Sequence, residues 1–283
     1  MTEPEQTAIA DPPTVVADVT PTVVADVTPG AAHPQLGVAD LHIHTLASDG
    51  VSGVDDVLAA AIARGLDVIA ITDHERIDAA VVAQRLAREH ELPLQVIVGE
   101  EITTRNGHLV GLFMTERVKP WGTMRDAVAR VHDQGGICIV AHPLVPYPLC
   151  ASERTIRRML DEADPDRHPD AIEAFNPTTA RLRWSRRVPA FVAEVGLAAV
   201  ASSDAHHADS VGRAITRFPG SSGDDLRAAI LARTTTWDGS AYAWPEQVGM
   251  FRQQTAKNVR AVRDTVRHRV LRKGTGRDLG YPR

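Results

Sequence analysis

The run VADLHIH, residues 38–44, is a short apolar segment that closes on a histidine-x-histidine pair, His42 and His44. Side chains alternate faces along a strand, so an extended chain here puts both imidazoles on one side, about 7 Å apart, where they can grip one ion. Six further apolar runs follow: LDVIAIT (66–72), LQVIVGEEI (94–102), HLVGLF (108–113), ICIVAH (137–142), AIEAF (171–175) and GLAAVASS (196–203). Continuous runs of this length, rich in β-branched residues, suit strands buried on both faces. Helical patterns separate most of them, over 54–64, 78–90, 124–134, 153–163 and 181–194. Gly65, Gly135 with Gly136, and Gly196 close three of these, and Thr123 with Asp126 has capping-box spacing. Strands alternating with helices predict an α/β fold, either a barrel or an open doubly wound sheet.

The polar residues decide between the two. His42 and His44 end the first run, Asp73 and His74 the second, Glu101 the third, His142 the fifth, and Asp204 and His206 the seventh. In a barrel the carboxyl ends of all strands converge on one face, whereas an open sheet concentrates its site at a single switch point. Ligands scattered over so much sequence therefore favour a barrel. Taken singly, each residue has a structural explanation: a strand-end histidine bonded to backbone, or an Asp-His pair capping a helix. Taken together, five polar groups each following its own apolar run point to a metal site, and a glutamate between metal positions can bridge two ions.

The motifs DLHIHTLASDG (40–50), AITDH (70–74), GEEI (99–102), AHP (141–143) and SSDAH (202–206) resemble the PHP (polymerase and histidinol phosphatase) superfamily of metal-dependent phosphoesterases, over roughly residues 38–235. The resemblance implies a distorted (β/α)7 barrel with two or three divalent ions, Mn, Fe or Zn, at the strand C-termini. Carried over, His42, His44, Glu101 and Asp204 hold a first ion, and Glu101 bridges to a second bound by His142. Asp49, His74 and His206 hold a third. His108 matches a histidine that completes the second ion. Catalytic roles fall to Glu101, Asp204 and His206.

What the resemblance implies chemically is hydrolysis of a phosphate ester through a metal-activated hydroxide. Asp49 in SDG, together with TDH, is similar to the branch acting on nucleotides and small phosphoesters, so the expected substrate is a nucleotide, a short oligonucleotide or another small phosphorylated molecule, and the expected activity that of a phosphatase or 5′-3′ exonuclease. Arg105, Arg181 and Arg183 are candidates for holding phosphate, since a guanidinium fits it in bidentate fashion, and Asn176 is a candidate for holding substrate by its amide. Two alternatives come from other classes. One is an amidohydrolase-like metal-dependent hydrolase, since those barrels also use a histidine-x-histidine pair. The other is a binding module for RNA, lipid or a protein partner built on the basic C-terminus.

Charge divides the chain further. The net charge of −5 over 283 residues conceals ten Lys or Arg against two acids in residues 251–283, which leaves residues 1–250 at −13. An acidic body argues against a stable complex with long nucleic acid. The N-terminus carries PTVVADVT twice in tandem (13–20 and 21–28) and no Lys or Arg, as a disordered low-complexity tail does. In the basic segment, Ala256, Val259, Val262, Val266 and Val270 recur at helical spacing. The expected organisation is a tail over 1–37, a metal-dependent phosphoesterase domain over 38–240 and a basic helical extension over 241–283. With two cysteines there is no disulfide framework, and no apolar run reaches the roughly 20 residues that cross a bilayer, so a cytoplasmic protein without a membrane span is expected.

Overall fold

Strand β1 (Leu36–Ile43) forms the hub of the sheet, paired on one side with β2 (Val68–Ile71) in parallel and on the other with β8 (Ala214–Pro219) in antiparallel. The computed structural model describes residues 36–243 together with Glu246 and Gly249. Most of the expected tail and the expected basic helix lie outside the described residues. Leu36 and Gly37, assigned above to the tail, begin β1.

The remaining elements are α1 (Val54–Ala63), α2 (Asp78–Glu89), β3 (Gln95–Thr104), β4 (Gly107–Leu112), α3 (Met124–His132), β5 (Ile137–Val140), α4 (Glu153–Leu160), β6 (Ala171–Phe175), α5 (Val188–Val195), β7 (Ala198–Ala201), α6 (Gly223–Ala232) and β9 (Thr236–Gly239). Among the described residues the nine strands are ordered β7-β6-β5-β4-β3-β2-β1-β8-β9. This mixed sheet curls into a nearly closed barrel. At the seam no ladder joins β7 to β8. Instead the buried Thr216 hydroxyl donates to the Ala201 carbonyl at 2.9 Å and accepts the Ala201 amide at 3.0 Å. Thr235 Oγ1 adds a bond to the Ala199 carbonyl at 2.7 Å.

Two differences from the sequence expectation have physical causes. β4 runs antiparallel to both β3 and β5, because residues 105–106 are all that connects β3 to β4, and parallel strands need a crossover of a dozen residues or more. β8 and β9 add to the seven expected strands. β8 alternates buried and half-exposed residues, the signature of a one-sided strand, and therefore shows no continuous apolar run. The helical pattern over 181–194 resolves into a short 3-10 turn, Ser185–Arg187, and α5, whose Pro189 sits at the helix start where its missing N–H costs nothing.

Two apolar layers hold the fold. The outer one joins alternate strand positions such as Ile69, Ile71, Val98, Val140 and Ile172 to α1–α5. The inner one, with Leu41, Val68, Ala70, Ile97, Ile139 and Val200, is plugged at the bottom by Leu226, Ala229 and Ile230 of α6. Along β1 the faces switch. Ala39 and Leu41 belong to the inner layer but Ile43 to the outer one, and the β1–β2 register shifts between Asp40 and Ile43. That irregularity turns His42 and His44 into the barrel mouth above the inner core, the re-aiming that strand bulges perform.

Candidate metal centre

Glu101 stands at the centre of the mouth, fully buried and divided between two sets of imidazoles. Its Oε2 lies 3.2 Å from His42 Nε2, 3.2 Å from His44 Nε2 and 3.3 Å from His74 Nε2. Its Oε1 lies 2.7 Å from His108 Nδ1 and 3.2 Å from His142 Nε2. His74 reaches it because the chain after β2 continues beside β3, in a parallel bridge with Glu101. His108 comes from the amino end of β4, which points to the same mouth because that strand is reversed.

Asp204 and His206 arrive along a different route. The segment after β7 runs beside the end of β1, with His44 N donating to the Ala205 carbonyl at 2.8 Å and Ala205 N to the His42 carbonyl at 3.3 Å. Asp204 Oδ1 then lies 3.6 Å from His42 Nε2 and 3.4 Å from His44 Nε2. Its backbone sits at φ 50°, a left-handed conformation costly for a non-glycine residue and common where a side chain must be aimed. His206 Nε2 meets Asp49 Oδ2 at 3.0 Å, and Asp49 Oδ1 is 3.3 Å from His44 Nδ1. His74 lies 3.6 Å from Asp49 as well as beside Glu101 Oε2, so it stands between the expected first and third positions. The nine expected ligands are thus brought together, forming four overlapping groups whose ligand atoms lie within 4.8 Å of one another: His42, His44 and Asp204; His44, Asp49 and His206; His44, His74 and Glu101; Glu101, His108 and His142.

The electrostatics follow from this crowding. Burial alone would force Glu101 and Asp204 to hold protons, but the surrounding imidazoles outweigh it and keep both carboxyls well below their ordinary range. Asp49 is lowered in the same way by His206 and His44. Burial would also strip His44 of its proton. Asp204 and Glu101 reverse this and push it up to about 10; His42 is raised well above its usual value by Glu101, Asp204 and Glu173, and His142 by its contact with Cys150 and by Glu101 and Asp204. His74, where burial and the neighbouring His44 prevail over Glu101, is lowered.

The donor set fits divalent ions. Among the described residues, His42 Nε2, both nitrogens of His44 and His108 Nδ1 are buried without a hydrogen-bond partner, although carboxylate oxygens lie 2.7–3.3 Å away. Nitrogen and oxygen atoms so placed converge on shared points instead of on each other, and neutral imidazole with carboxylate is a suitable set for Mn, Fe or Zn. The outer nitrogens also have partners. His206 Nδ1 faces the Asp204 carbonyl at 3.0 Å, an acceptor only, so Nδ1 carries the hydrogen and Nε2 is left to coordinate. His142 Nδ1 meets Cys150 Sγ at 3.4 Å.

The residues expected to hold substrate are engaged with partners within the protein. Arg105 Nε donates to the Trp121 carbonyl at 2.8 Å, and its side chain lines a cavity of about 570 Å³ whose walls, among them Arg117 and Arg130, contain none of the cluster residues. Arg181 Nε donates to the Tyr242 carbonyl, and Arg183 stacks on the Trp184 ring at 4.4 Å. The Asn176 amide is buried, not offered to the mouth: Nδ2 donates to Glu173 Oε2 at 2.9 Å and to Asp204 Oδ2 at 3.2 Å.

Glu173 went unremarked in the sequence. It is fully buried in β6, with Oε1 3.2 Å from His42 Nδ1 and Oε2 accepting the His142 amide at 2.7 Å. A charged residue in the middle of the apolar run AIEAF was the available signal, since a buried carboxylate needs partners. Asp73, one of the polar groups at the end of the second run, accepts three bonds from the loop after β1. A further group, His132, Cys138 and Asp170, is bonded within the outer layer, both imidazole nitrogens being taken by the Asp166 carbonyl and Asp170.

Comparison with known proteins gives the arrangement its family. Residues 40–144 match the family model of the PHP domain, and residues 183–235 match the PHP-associated model. All nine clustered ligands fall within these two stretches. An uncharacterized protein of Methanocaldococcus jannaschii is 32% identical over 149 residues, covering 49% of this chain and 81% of that one. A 5′-3′ exoribonuclease of Haemophilus influenzae is 39% identical over 77 residues, 26% of this chain and 27% of that one. In three dimensions, a two-domain protein of Bacteroides vulgatus described as containing a PHP-like metal-dependent phosphoesterase superposes with a TM-score of 0.60 at 19% identity, over 73% of this chain and 65% of that one, a likeness of fold. Both family models match in chain order around one ligand cluster, and this chain belongs to the PHP family.

Proposed function

We propose that the chain is a metal-dependent phosphoesterase that hydrolyses phosphate esters of nucleotides, short oligonucleotides or other small molecules. The observation that carries this reading is the division of Glu101, with one oxygen turned to His42, His44 and His74 and the other to His108 and His142. A single carboxylate so shared is what a multinuclear centre needs.

Under this reading His42, His44, Glu101 and Asp204 hold one ion, Glu101, His108 and His142 a second, and Asp49 with His206 a third, with His74 shared between neighbours. Bound ions of this kind neutralise phosphate charge and lower the pKa of coordinated water towards neutrality. The protein supplies the rest. Burial of His42, His44 and Glu101 excludes water and strengthens every charge interaction among them. Asp49, His74 and His206 are less buried and form the rim by which an anionic ester reaches the cluster. Asp204 acts as the aimed carboxylate, held by Asn176 and by Thr178 Oγ1 at 3.1 Å.

The preference for nucleotides or short oligonucleotides is supported by the Haemophilus influenzae relative, named for exoribonuclease activity. The acidic body argues for small substrates over long nucleic acid. The test is a panel of p-nitrophenyl phosphate, 5′- and 3′-mononucleotides, cyclic nucleotides and short RNA, assayed with Mn²⁺, Fe²⁺, Zn²⁺ or chelator. Metal-dependent release of phosphate or mononucleotide is expected. Absence of turnover on the whole panel with every metal overturns the reading.

A further inference from the structure

Glu173 and Asn176 lie between the two stretches matched by family models, yet they touch ligands on both sides of Glu101. Glu173 Oε1 faces His42 Nδ1 at 3.2 Å, so the ring keeps its hydrogen on Nδ1 and presents Nε2 to Glu101 and Asp204. Glu173 Oε2 accepts the backbone N–H of His142 at 2.7 Å. That residue sits at φ 28°, outside the usual region for an L-amino acid, and the bond to Glu173 helps to hold it there. The same oxygen accepts from Asn176, whose second amide hydrogen goes to Asp204. The side-chain Oδ1 of Asn176 in turn accepts from Thr178 N at 2.9 Å, so the amide cannot rotate without losing bonds at both ends.

We infer that Glu173 is a positioning residue that couples the metal positions: one carboxylate fixes the tautomer of His42, the strained turn at His142 and, through Asn176, the direction of Asp204. This rests on the reading of the cluster as a divalent-metal centre. The geometry has an asymmetric consequence. Loss of Glu173 releases ligands on both sides of Glu101, whereas loss of Asn176 releases Asp204 and leaves His142 in place. A carboxylate serving only as a buried structural group would, on removal, lower the stability of the metal-free chain and leave metal affinity alone.

The experiment is titration of Mn²⁺ into the metal-stripped full chain by calorimetry, with bound metal counted by mass spectrometry after dialysis and melting followed in chelator. Glu173→Gln, which keeps the shape of the side chain, is expected to bind the Mn²⁺ ions at the positions of His42 and His142 about 10–100-fold more weakly and to retain fewer ions per chain. Asn176→Ala, the second variant should the first not fold, is expected to weaken one Mn²⁺ and spare the one at His108 and His142. Wild-type stoichiometry and affinities within about threefold in both folded variants overturn the assignment alone. Failure of the wild-type chain to bind Mn²⁺ overturns it together with the metal-centre reading.

Discussion

Asp73 grips Thr45 twice, accepting its amide at 2.8 Å and its hydroxyl at 2.7 Å, and takes a third bond from Ser48 Oγ at 2.5 Å. The carboxylate at the end of β2 thereby ties down the loop that carries Asp49. Asp73→Ala should cost about 1–3 kcal/mol, since a buried amide and two hydroxyls lose their acceptor. Urea unfolding of the metal-free chain measures it. If the variant matches wild type within about 0.5 kcal/mol, the loop is held by other means.

The double replacement His42→Ala and His44→Ala removes two imidazoles that each lie against both Glu101 and Asp204. Metal-dependent turnover of p-nitrophenyl phosphate or a mononucleotide should fall to background, and excess chelator should do the same to wild type. Circular dichroism checks that the variant is folded. Undiminished turnover by a folded variant is incompatible with the metal-centre reading.

A pH dependence resides far from the site, at His132. Its ring faces two acceptors, the Asp166 carbonyl and the Asp170 carboxylate, each at 2.9 Å, so the charged form is favoured, and Asp170 raises it above its ordinary value despite partial burial. The stabilisation is fully present below the unfolded histidine value of about 6.5 and is lost as pH rises through the elevated folded value. His132→Ala should therefore lie furthest below wild type near pH 5.5, and the gap should narrow towards pH 9. Denaturant melts at three pH values measure it, and a constant gap would mean that packing and not charge is lost.

Thr216→Val is close to isosteric but deletes the hydroxyl that satisfies both the amide and the carbonyl of Ala201. A loss of about 1–3 kcal/mol is expected, with Thr216→Ser near wild type. Faster hydrogen exchange at Ala201 should accompany it. Equal melting of the Val and Ser variants would show that the seam does not need the hydroxyl.

Much of this cluster was legible in the sequence, because His42, His44, His74, Glu101, His142, Asp204 and His206 stand at the ends of apolar runs, whereas Asp49 and His108 came from the family resemblance. What stayed hidden has physical reasons. β8 alternates exposed and buried residues and so lacks the uninterrupted apolar run that marked the other strands. Glu173 is one polar residue inside a strand, and its role depends on His42, 131 positions away. The aim of Arg105, Arg181 and Arg183 could not be read from composition, since long side chains choose partners by local geometry: a carbonyl at Trp121, another at Tyr242, an indole face at Trp184. Asn176 was read as a hand held out to substrate, but its donors are spent on carboxylates.

The two backbone bonds joining Ala205 to His42 and His44 are also the rung that shuts the upper rim of the barrel. Girth and chemistry are therefore set by the same few atoms. The rim cannot widen without drawing Asp204 and His206 away from the histidine pair, so any motion that admits a larger substrate must come from the surrounding loops, with the ring of strands staying at fixed circumference.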